Sequence, residues 1–546
     1  MIFKKMSQDT VPSLSQYFGA TGNKEDQIDF SQELIEAKSQ ISTHSNVEDN
    51  KKSNKNEPEV CRIFSETPSQ SKDPTEAFFD LIGSSNHITH NKVISDLGLP
   101  STEETYSSSR LVVGNETDRR RDAWIPSENT RQCLIAAATA SPGTYFPQRE
   151  MLTMPGVLLE EELEDAVGQA VSMCLGEAEA AQRRVLSAND VTQDERGLRE
   201  LVQAGAYRAA INLTSRLLTI YGQGRGRAGQ PSKHSPHSLQ LWFTRIALLV
   251  KTKAFNIASA EAEPFGNVDK PDMYFQFYPE MYGGRLGSMA SFSFRLLLAE
   301  LPMHCGKAKE SITRLFKVLA TVRQIISNLK RGHCEDGNPM ELTDSDKRDS
   351  LRLWNGREVR VMHSIINSSL AVKEYELAMD LLGQLCERDG APRPALLSAL
   401  GRLHLQMGNI PGAEVCFKEA AEIKGGHKGI RELVDKGLLS IAQSAFDEAY
   451  LCFQEASVLE PSNVMILNNM GVCLLYGGHL KEAIQALETA IASNPVHALN
   501  ESLLLNLCTL YDMESSKGRM KKFALLRQIS RYQADAPTMI LEKLYG

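Results

Sequence analysis

Few residues in this chain stand at the spacings that catalysis or cofactor binding requires. The clearest candidate is a Gly-x-Gly-x-x-Gly string at Gly224, Gly226 and Gly229, the spacing with which a loop cradles a dinucleotide phosphate. That chemistry needs a strand before the glycines and a helix after them, and no strand pattern precedes Gly224. We therefore interpret the string as a flexible loop between helices and predict no dinucleotide cofactor.

Metal binding and thiol chemistry find equally little support. The adjacent pairs His304–Cys305 and His333–Cys334 supply two ligands each, whereas a zinc site needs more at workable spacing. The ten cysteines include no Cys-x-x-Cys pair, which is typical of a reducing compartment. Cys416 and Cys452 stand at matching places of a repeat described below and are interpreted as small core residues. The sequence therefore predicts no catalytic residue, metal or cofactor, and no enzyme.

Composition and charge exclude further classes. The chain has 546 residues, of which 42% are hydrophobic and 23% charged, with a net charge of −8. These are globular values, and the acidic balance disfavours a chain-wide nucleic-acid-binding surface. The N-terminal MIFKKMSQDT lacks the apolar stretch of a secretory signal, and no window is a good membrane span. We expect a cytoplasmic protein that reaches membranes by docking, without direct insertion.

The N-terminal part is expected to lack stable structure. Residues 1–118 are polar and contain no Trp, so they bury too little surface to offset the entropy of folding. Three aromatic islands interrupt this tail, at 12–19, 60–65 and 77–83. They are either chance clusters or anchors that fold onto a partner groove, with Tyr17, Phe18, Phe78 and Phe79 as candidate partner-binding residues.

The next segment, residues 119–157, is predicted to be an extended linker or docking segment. It begins with a basic run and carries Trp124, which we also take as a candidate partner-binding residue. From Leu158 onward apolar residues recur at helical spacing, which predicts an all-α fold. We divide this part into degenerate helical hairpins at 158–340 and a regular repeat array with C-terminal capping helices at 341–546.

An internal repeat is the strongest signal in the sequence. When the C-terminal part is aligned with itself at a shift of 34 residues, five positions match, and a further copy lies 36 residues upstream. This period is that of the tetratricopeptide repeat (TPR), a helix–turn–helix unit that stacks into an α-solenoid. The repeat signature comprises Gly401, Ala413, Phe417, Ala420, Gly437, Ala449, Phe453, Ala456, Pro461, Gly471, Ala483, Leu487, Ala490 and Pro495.

The residue types in this signature have a physical reason. A glycine on the first helix lets the second helix of the hairpin cross closely, and the small alanine of the second helix faces the same contact. The aromatic residue four positions later is expected to fill the gap to the next repeat. The proline stands past the end of the second helix, which it cannot continue. We estimate seven to nine hairpins in all.

One segment, residues 263–295, does not fit a plain repeat. It is dense in aromatic residues, and its prolines and glycines argue against one long helix. Two interpretations remain open: an insertion that packs on its own scaffold, or a partner-binding patch with Tyr274, Phe277 and Tyr278 as anchors.

Several long strings resemble the TPR-bearing subunit 12 family of the transport protein particle (TRAPP) tethering complex. They include SLQLWFTRIALLVK (238–251), RLLTIYGQG (216–224), VCLLYGGHLKEA (472–483) and ESLLLNLCTLYDMESS (501–516). The resemblance covers residues from about Arg120 to Ser516.

This resemblance implies a non-catalytic scaffold subunit of a TRAPP-III-type complex. It implies contacts with the large TRAPP-III-specific subunits and the small-subunit core, and an indirect link to a Rab-family GTPase that the core activates. It further implies endoplasmic reticulum to Golgi transport and autophagy, with a peripheral location at the intermediate compartment and Golgi membranes.

A stand-alone TPR co-chaperone or adaptor that binds peptide motifs is the alternative. Capture of a peptide carboxylate needs a cationic groove along the first helices of the hairpins. The last two such helices, LVDKGLLSIAQS and LNNMGVCLLYG, carry a single Lys between them, Lys436. The groove is therefore poor in cations, and the scaffold interpretation is favoured.

Overall fold

The computed structural model describes most of the chain from residue 116 onward. The described ranges are 116–140, 144–145, 147–266, 268–339, 342–423, 429–514 and 517–545. Regular structure in these ranges is helical; extended pairing there is confined to two isolated bridges, Val157 with Arg225 and Tyr274 with Ser288. The predicted all-α fold is confirmed.

The helices follow one another with short connections. Those up to Ala371 are α1 (Glu116–Asp122), α2 (Glu128–Thr139), α3 (Ala166–Leu175), α4 (Glu177–Ala180), α5 (Glu195–Gln203), α6 (Tyr207–Ile220), α7 (Pro236–Lys251), α8 (Phe255–Ala262), α9 (Pro279–Tyr282), α10 (Phe292–His304), α11 (Ala308–Lys330) and α12 (Asp344–Ala371). Those that follow are α13 (Tyr375–Cys386), α14 (Arg393–Gln406), α15 (Ile410–Ile423), α16 (Ile430–Ala442), α17 (Phe446–Leu459), α18 (Val464–Tyr476), α19 (Leu480–Ser493), α20 (Pro495–Ala498), α21 (Glu501–Met513), α22 (Gly518–Tyr532) and α23 (Thr538–Tyr545).

The described chain forms two compact units. The first unit comprises residues 116–164 and 185–368, and the second unit comprises residues 165–184 and 369–545. The second unit therefore recruits α3 and α4 from an early part of the sequence. The boundaries expected at 118/119, 157/158 and 340/341 stay predictions about domain organisation.

One turn recurs between paired helices in both units. At seven places in the described ranges the second residue before a helix has a positive φ, and the next residue donates its N–H to the carbonyl five residues back at 2.8–2.9 Å. This is the Schellman ending of a helix, which satisfies carbonyls that the helix leaves free. Three turns lie in the first unit and four in the second, and their positive-φ residues are Gly205, Lys253, Gly306, Lys373, Gly408, Ser444 and Gly478.

Six of these turns define hairpins of one design: α5–α6, α7–α8 and α10–α11 in the first unit, and α14–α15, α16–α17 and α18–α19 in the second. The turn at Lys373 leads from α12 into α13. Helices α21 and α22 form a further pair with a different connection. The repeat therefore extends upstream of the part that carries the residue signature.

The C-terminal helices share one apolar core with α3. Val167, Ala170 and Val171 of α3 are buried in the same cluster as Leu526 and Ile540 of the two last helices. The sequence predicts capping helices at the end of the array. Helices α21 and α22 take that place, and α3 and α23 add further cover, of which α3 lies far upstream of the predicted bounds of 341–546.

Arg183 fixes this arrangement by capping a helix end. Its buried guanidinium donates to the carboxylate of Asp165 and to the carbonyl oxygens of Ser530, Gln533 and Ala534, just at and beyond the end of α22. A cation at a helix C-terminus interacts favourably with the helix dipole and satisfies its free carbonyls. The early segment is thereby joined to the C-terminal helices through polar as well as apolar contacts.

Candidate protein-interaction surfaces

The repeat signature places a glycine against a large side chain within each hairpin. A Cβ added to Gly437 would lie 2.8 Å from the ring of Phe453, and one added to Gly471 would lie 2.7 Å from the side chain of Leu487. A Cβ added to Gly401 would lie 2.4 Å from the ring of Phe417. The repeat pattern predicts that the large residue fills the gap to the next repeat, whereas in the structure this residue contacts the glycine of its own hairpin.

The other signature residues take positions that fit their size. The alanines of the second helices are buried, and the two prolines stand just past the ends of α17 and α19. These residues are Ala413, Ala420, Ala449, Ala456, Ala483, Ala490, Pro461 and Pro495. Together they bring consecutive helices within contact distance and form no chemically reactive group.

Polar residues join the first helices of successive hairpins. Asp435 on α16 is buried, accepts from the hydroxyl of Ser398 at 2.6 Å and pairs with Arg402 at 2.8 Å, both on α14. Farther along, Asn506 on α21 donates to Asn468 on α18 at 2.8 Å. The carboxylate of Asp435 thus neutralises Arg402, so this guanidinium does not offer the free cation that capture of a peptide carboxylate requires.

A groove opens on the second unit between α17, α18 and α19. Its volume is about 720 Å³, with Leu467, Met470 and Leu474 of α18 and Tyr450 of α17 as its large apolar side chains. Polar side chains at its edge include Glu482, Gln485, Thr489 and His497. An apolar groove with a polar edge is the form in which peptide segments and helices are bound.

The glycine-rich string forms a loop between α6 and α7, without a preceding strand in the described chain. Its backbone is occupied by the segment that the sequence analysis called a docking segment: Gly229 donates to Met154 O at 3.0 Å, and Val157 donates to Gly224 O at 3.2 Å. A Cβ on Gly156 would collide with the backbone of Ala228. The loop thus holds protein backbone where a phosphate loop would hold its ligand.

A buried polar network fastens the same segment. Thr153 donates its N–H and its hydroxyl to the carboxylate of Asp272 at 2.8 and 2.7 Å, and its hydroxyl also contacts the imidazole of His234. Burial lowers the pKa of His234, which favours the neutral ring. Since all three side chains are buried, this Thr-His-Asp grouping is a structural clamp and offers no access to a substrate.

A second clamp lies a few residues further along. Arg245 and Glu261 are both fully buried and form a bidentate ion pair at 2.6 and 2.8 Å. Glu261 also accepts from the backbone N–H of Leu158 at 3.0 Å, while Arg245 donates to the hydroxyl of Ser215 at 2.7 Å. One ion pair thereby joins α6, α7, α8 and Leu158, the residue that follows the docking segment.

The basic run before Trp124 is used within the chain. Arg119 pairs with the buried Glu335 at 2.7 Å, Arg120 pairs with Asp346 at 3.4 Å, and Asp122 pairs with Arg285. Desolvation raises the pKa of Asp122, against the lowering effect of the neighbouring arginines. The N-terminal end of the docking segment is thus held by ion pairs that are largely shielded from solvent.

Trp124 itself covers a buried cation. The guanidinium carbon of Arg295 lies 4.3 Å from its ring centre, and the ring of Trp354 lies 6.4 Å away. Arg295 is buried and donates to the carbonyl of Val268 at 2.6 Å. Trp124 is half-buried and so contributes to the first unit's own packing; its role toward a partner stays a prediction.

The aromatic insertion packs on its own scaffold. Tyr274 and Tyr278 are 0% and 9% exposed, and Phe277 is half-buried. Tyr274 donates to Asp269 at 2.9 Å, and the hydroxyl of Tyr278 accepts from the backbone N–H of His234 at 3.2 Å. The structure does not place Tyr274 and Tyr278 on the surface where anchors must stand, because their rings fill the core of the first unit. Phe277 stays a candidate.

The remaining predicted anchors, Tyr17, Phe18, Phe78 and Phe79, lie outside the described residues. Sequence reasoning in turn missed the residues that organise the first unit, namely Thr153, His234, Arg245, Glu261 and Asp272. No local sequence pattern predicts their role, because their partners are up to 119 residues away. The recurring turn did carry a signal, because a small or turn-forming residue stands at a fixed place before many second helices.

Within the described ranges, no group of three or more His, Cys, Asp or Glu residues is placed to hold a metal ion. Among the described helices, none combines the length and apolar character that crossing a bilayer demands. What the described surface offers is a repeat array with an apolar groove and exposed aliphatic side chains, which suits protein contacts.

No protein-family model matches the chain. Mouse trafficking protein particle complex subunit 12 is 41% identical over 426 residues, which cover 77% of this chain and 54% of that protein. The human protein of that name is 42% identical over 426 residues, covering 77% and 58%. The chain thus spans a little over half the length of these curated relatives.

Among solved structures, a tetratricopeptide repeat protein from Parabacteroides merdae is similar at 12% identity and a TM-score of 0.31, over 57% of this chain and 98% of that chain. Over 77% of its length, this chain of TPR-type hairpins is similar to trafficking protein particle complex subunit 12.

Proposed function

We propose that this chain is a non-catalytic scaffold subunit of a TRAPP tethering complex. The observation that carries the proposal is the 41–42% identity to subunit 12 over 426 residues. The repeat array supports it, because stacked hairpins present extended surfaces to several neighbours at once. Its contribution is to hold other subunits in place while the reaction chemistry belongs to them.

The finer part of the proposal concerns the complex and its task. The complex is of the TRAPP-III type, in which large subunits and a small-subunit core surround the chain, and the core activates a Rab-family GTPase. The chain acts in endoplasmic reticulum to Golgi transport and in autophagy, at the periphery of the intermediate compartment and Golgi membranes. Resemblance to the family supports these assignments.

The contact surface we favour lies on the second unit. Val415 on α15 and Leu451 on α17 occupy the same repeat position, 36 residues apart, and are 65% and 56% exposed. On the same two helices Ile423 and Leu459 repeat the pattern at 49% and 52%. Exposed aliphatic residues that recur at one repeat position form a stripe across neighbouring hairpins, as interfaces with partner subunits require.

The stand-alone co-chaperone is disfavoured by the groove residues. Arg402 is engaged by Asp435, and Lys436 is the exposed cation on α16. A carboxylate-capturing groove needs several free cations from successive first helices. We therefore keep the scaffold as the proposed function.

The test is the state of the whole chain in cells. A tagged chain at its own genomic locus should elute in a large complex and co-purify with other TRAPP subunits. Elution near the mass of the free chain, 60.5 kDa, without those subunits would refute the scaffold proposal.

A double variant locates the interface. Val415→Lys with Leu451→Lys should leave the helical circular dichroism unchanged and reduce recovery of the large subunits at least fivefold. The control is Ile220→Lys in the first unit, where the native side chain is 76% exposed. Equal recovery from both variants would remove this stripe from the interface. Nucleotide exchange on the Rab-family GTPase, compared with and without the chain, tests the finer assignment.

A further inference from the structure

A cationic helix face stands out on this acidic chain. Residues 517–532, which include α22, contain six Lys and Arg residues and no Asp or Glu. The inward cations are neutralised: Lys522 pairs with Asp512 at 2.6 Å, and Lys521 pairs with Glu514 at 2.7 Å. The outward cations are less well matched.

The outward stripe is defined by exposed residues at helical spacing, Lys517, Met520, Ala524, Arg527 and Arg531, and we call it the basic face. Met520 is 70% exposed, and Arg527 approaches Glu179 at 3.5 Å across solvent-exposed surface. Lys517 and Arg531 make no ion pair with any described residue. Because fourteen residues of helix span about 21 Å, the face carries positive charge at both ends around an apolar centre.

The chain itself contains a complementary sequence. Residues 25–36, EDQIDFSQELIE, lie outside the described ranges and hold five acidic residues without a Lys or Arg. Glu25, Asp29, Glu33 and Glu36 recur at the spacing of one helix face, with Ile28 and Ile35 beside this face on one side and Phe30 on the other. We call this the acidic segment.

We propose that the acidic segment docks on the basic face of α22 in the same molecule. The proposal is independent of the proposed scaffold function. Opposite charges at matching helical spacing set the register, and the flanking residues Ile28, Phe30 and Ile35 supply apolar contact to Met520 and to Tyr532, which is 50% exposed. The acidic segment and the basic face thus belong to the same chain.

The energetics explain why the tether matters. An exposed ion pair contributes little to binding because water and salt screen it, so charge alone gives weak binding between separate molecules. Residues 37–115 separate the segment from the described chain, and a connection of this length gives an effective concentration below the mM range of short linkers. The docked state is therefore the major state of the chain if the separate segment binds with a Kd of about 0.1 mM or tighter. The apolar residues must supply the part of this affinity that the ion pairs lack.

Zero-length cross-linking of the full chain tests the contact. A carbodiimide joins a carboxylate to a lysine amine only when the two touch, and we expect it to link Lys517 to the acidic segment. Arg527→Glu with Arg531→Glu should reduce this link at least fivefold, as should Asp29→Arg with Glu33→Arg. The four changes together should restore it. The control, Lys309→Glu with Lys317→Glu on exposed positions of α11, should leave it unchanged.

Two results would overturn the proposal. One is a cross-link yield that is the same in the parent and in the charge variants of the basic face, while these variants keep the helical circular dichroism of the parent. The other is binding of the full chain to vesicles of phosphatidylcholine and phosphatidylserine that depends on Arg527 and Arg531 but is not strengthened when Glu25, Asp29, Glu33 and Glu36 are changed to Gln. That outcome would assign the face to anionic lipid. Failure of the cross-link leaves co-purification with other TRAPP subunits untouched, so the two proposals fail separately.

Discussion

The two units use the same hairpin turn and differ in what packs the helices together. In the second unit, Gly437 and Gly471 let large side chains of the next helix approach, and the same pair types recur every 34–36 residues. In the first unit, the buried ion pair of Arg245 with Glu261 and the clamp of Thr153 on Asp272 occur once each. Repeated contacts between neighbouring hairpins leave a period in the sequence, whereas single contacts between distant residues leave none.

The two units also differ in the surface that they expose. In the first unit, aromatic and charged side chains pack against the docking segment and against one another, so few rings of the aromatic insertion are exposed. The second unit has a regular apolar interior, and its outer helices expose Val415 and Leu451 at repeated positions. Partner contacts are accordingly expected on the regular unit.

All three tryptophans, Trp124, Trp242 and Trp354, lie in the first unit, so their fluorescence reports on that unit. Hydrogen exchange of residues 430–493 reports on the second. These two measurements let the comparison be tested one unit at a time.

The largest effect is expected at the buried ion pair of the first unit. Arg245→Met leaves Glu261 charged and without its ionic partner in the core, which costs about 3–5 kcal/mol. The urea midpoint seen by tryptophan fluorescence should fall strongly, with little change in hydrogen exchange of residues 430–493. The double variant with Glu261→Met is the control and should recover part of the loss. A single variant as stable as the parent would mean that this pair does not hold the unit together.

Removal of Trp124 comes next. Trp124→Ala uncovers the cation of Arg295 and deletes a half-buried ring, for which we expect a cost of about 2–3 kcal/mol. The docking segment should then be cut faster by trypsin at Arg119–Arg121. Ile135→Ala on α2, where the side chain is 56% exposed, is the matched control. Unchanged cleavage in the Trp124 variant would show that the ion pairs of Arg119, Arg120 and Asp122 hold the docking segment in place without this ring.

The glycine contact of the second unit is expected to be less costly. Gly437→Ala places a methyl group against Phe453, and overpacking of about 1–3 kcal/mol outweighs a gain of about 1 kcal/mol in helix propensity. Gly383→Ala on α13 is the matched control, because an added Cβ there meets nothing within 4 Å. The Gly383 variant should be more stable than the parent. A change in the free energy of unfolding of the same sign in both variants would argue against close packing at Gly437.

The recurring turn allows two matched substitutions that should change stability in opposite directions. Ser444 adopts φ 63°, where an L side chain costs roughly 1 kcal/mol, and Gly478 holds the equivalent place in the next hairpin with φ 88°. Ser444→Gly should stabilise the second unit by about that amount, and Gly478→Ser should destabilise it similarly. Thermal denaturation followed by circular dichroism measures both, and equal shifts of one sign would contradict the shared turn.

The first unit should also lose stability in mild acid. Desolvation lowers the pKa of His363 to about 4, and burial lowers that of His234, from an ordinary value near 6.5. The unfolded chain then binds more protons than the folded one as the pH falls from about 6.5 toward 4, so stability declines in this window. For His363 the loss is about 1 kcal/mol by about pH 6. His363→Gln should flatten the pH dependence of the tryptophan transition, and an unaltered dependence would exclude this histidine as its source.

The sequence by itself determined the helical class, the 34-residue period and the register of the last hairpins. It could do so because the glycine, alanine and large-residue positions repeat, and each repeat makes its contacts with near neighbours. It also pointed to the similarity to subunit 12, through long strings outside the repeat consensus. The basic run and Trp124 led us to predict an extended linker or docking segment at residues 119–157.

Only the tertiary structure decided where that segment docks, that α3 and α4 belong with the C-terminal helices, and that Tyr274 and Tyr278 are core. The contacts responsible join residues far apart in sequence, such as Arg183 with the carbonyl of Ala534. Burial of a tyrosine depends on what the rest of the chain places above it, and no local pattern carries that information. Periodic packing is encoded in the sequence, whereas single long-range clamps become visible only when the chain has folded.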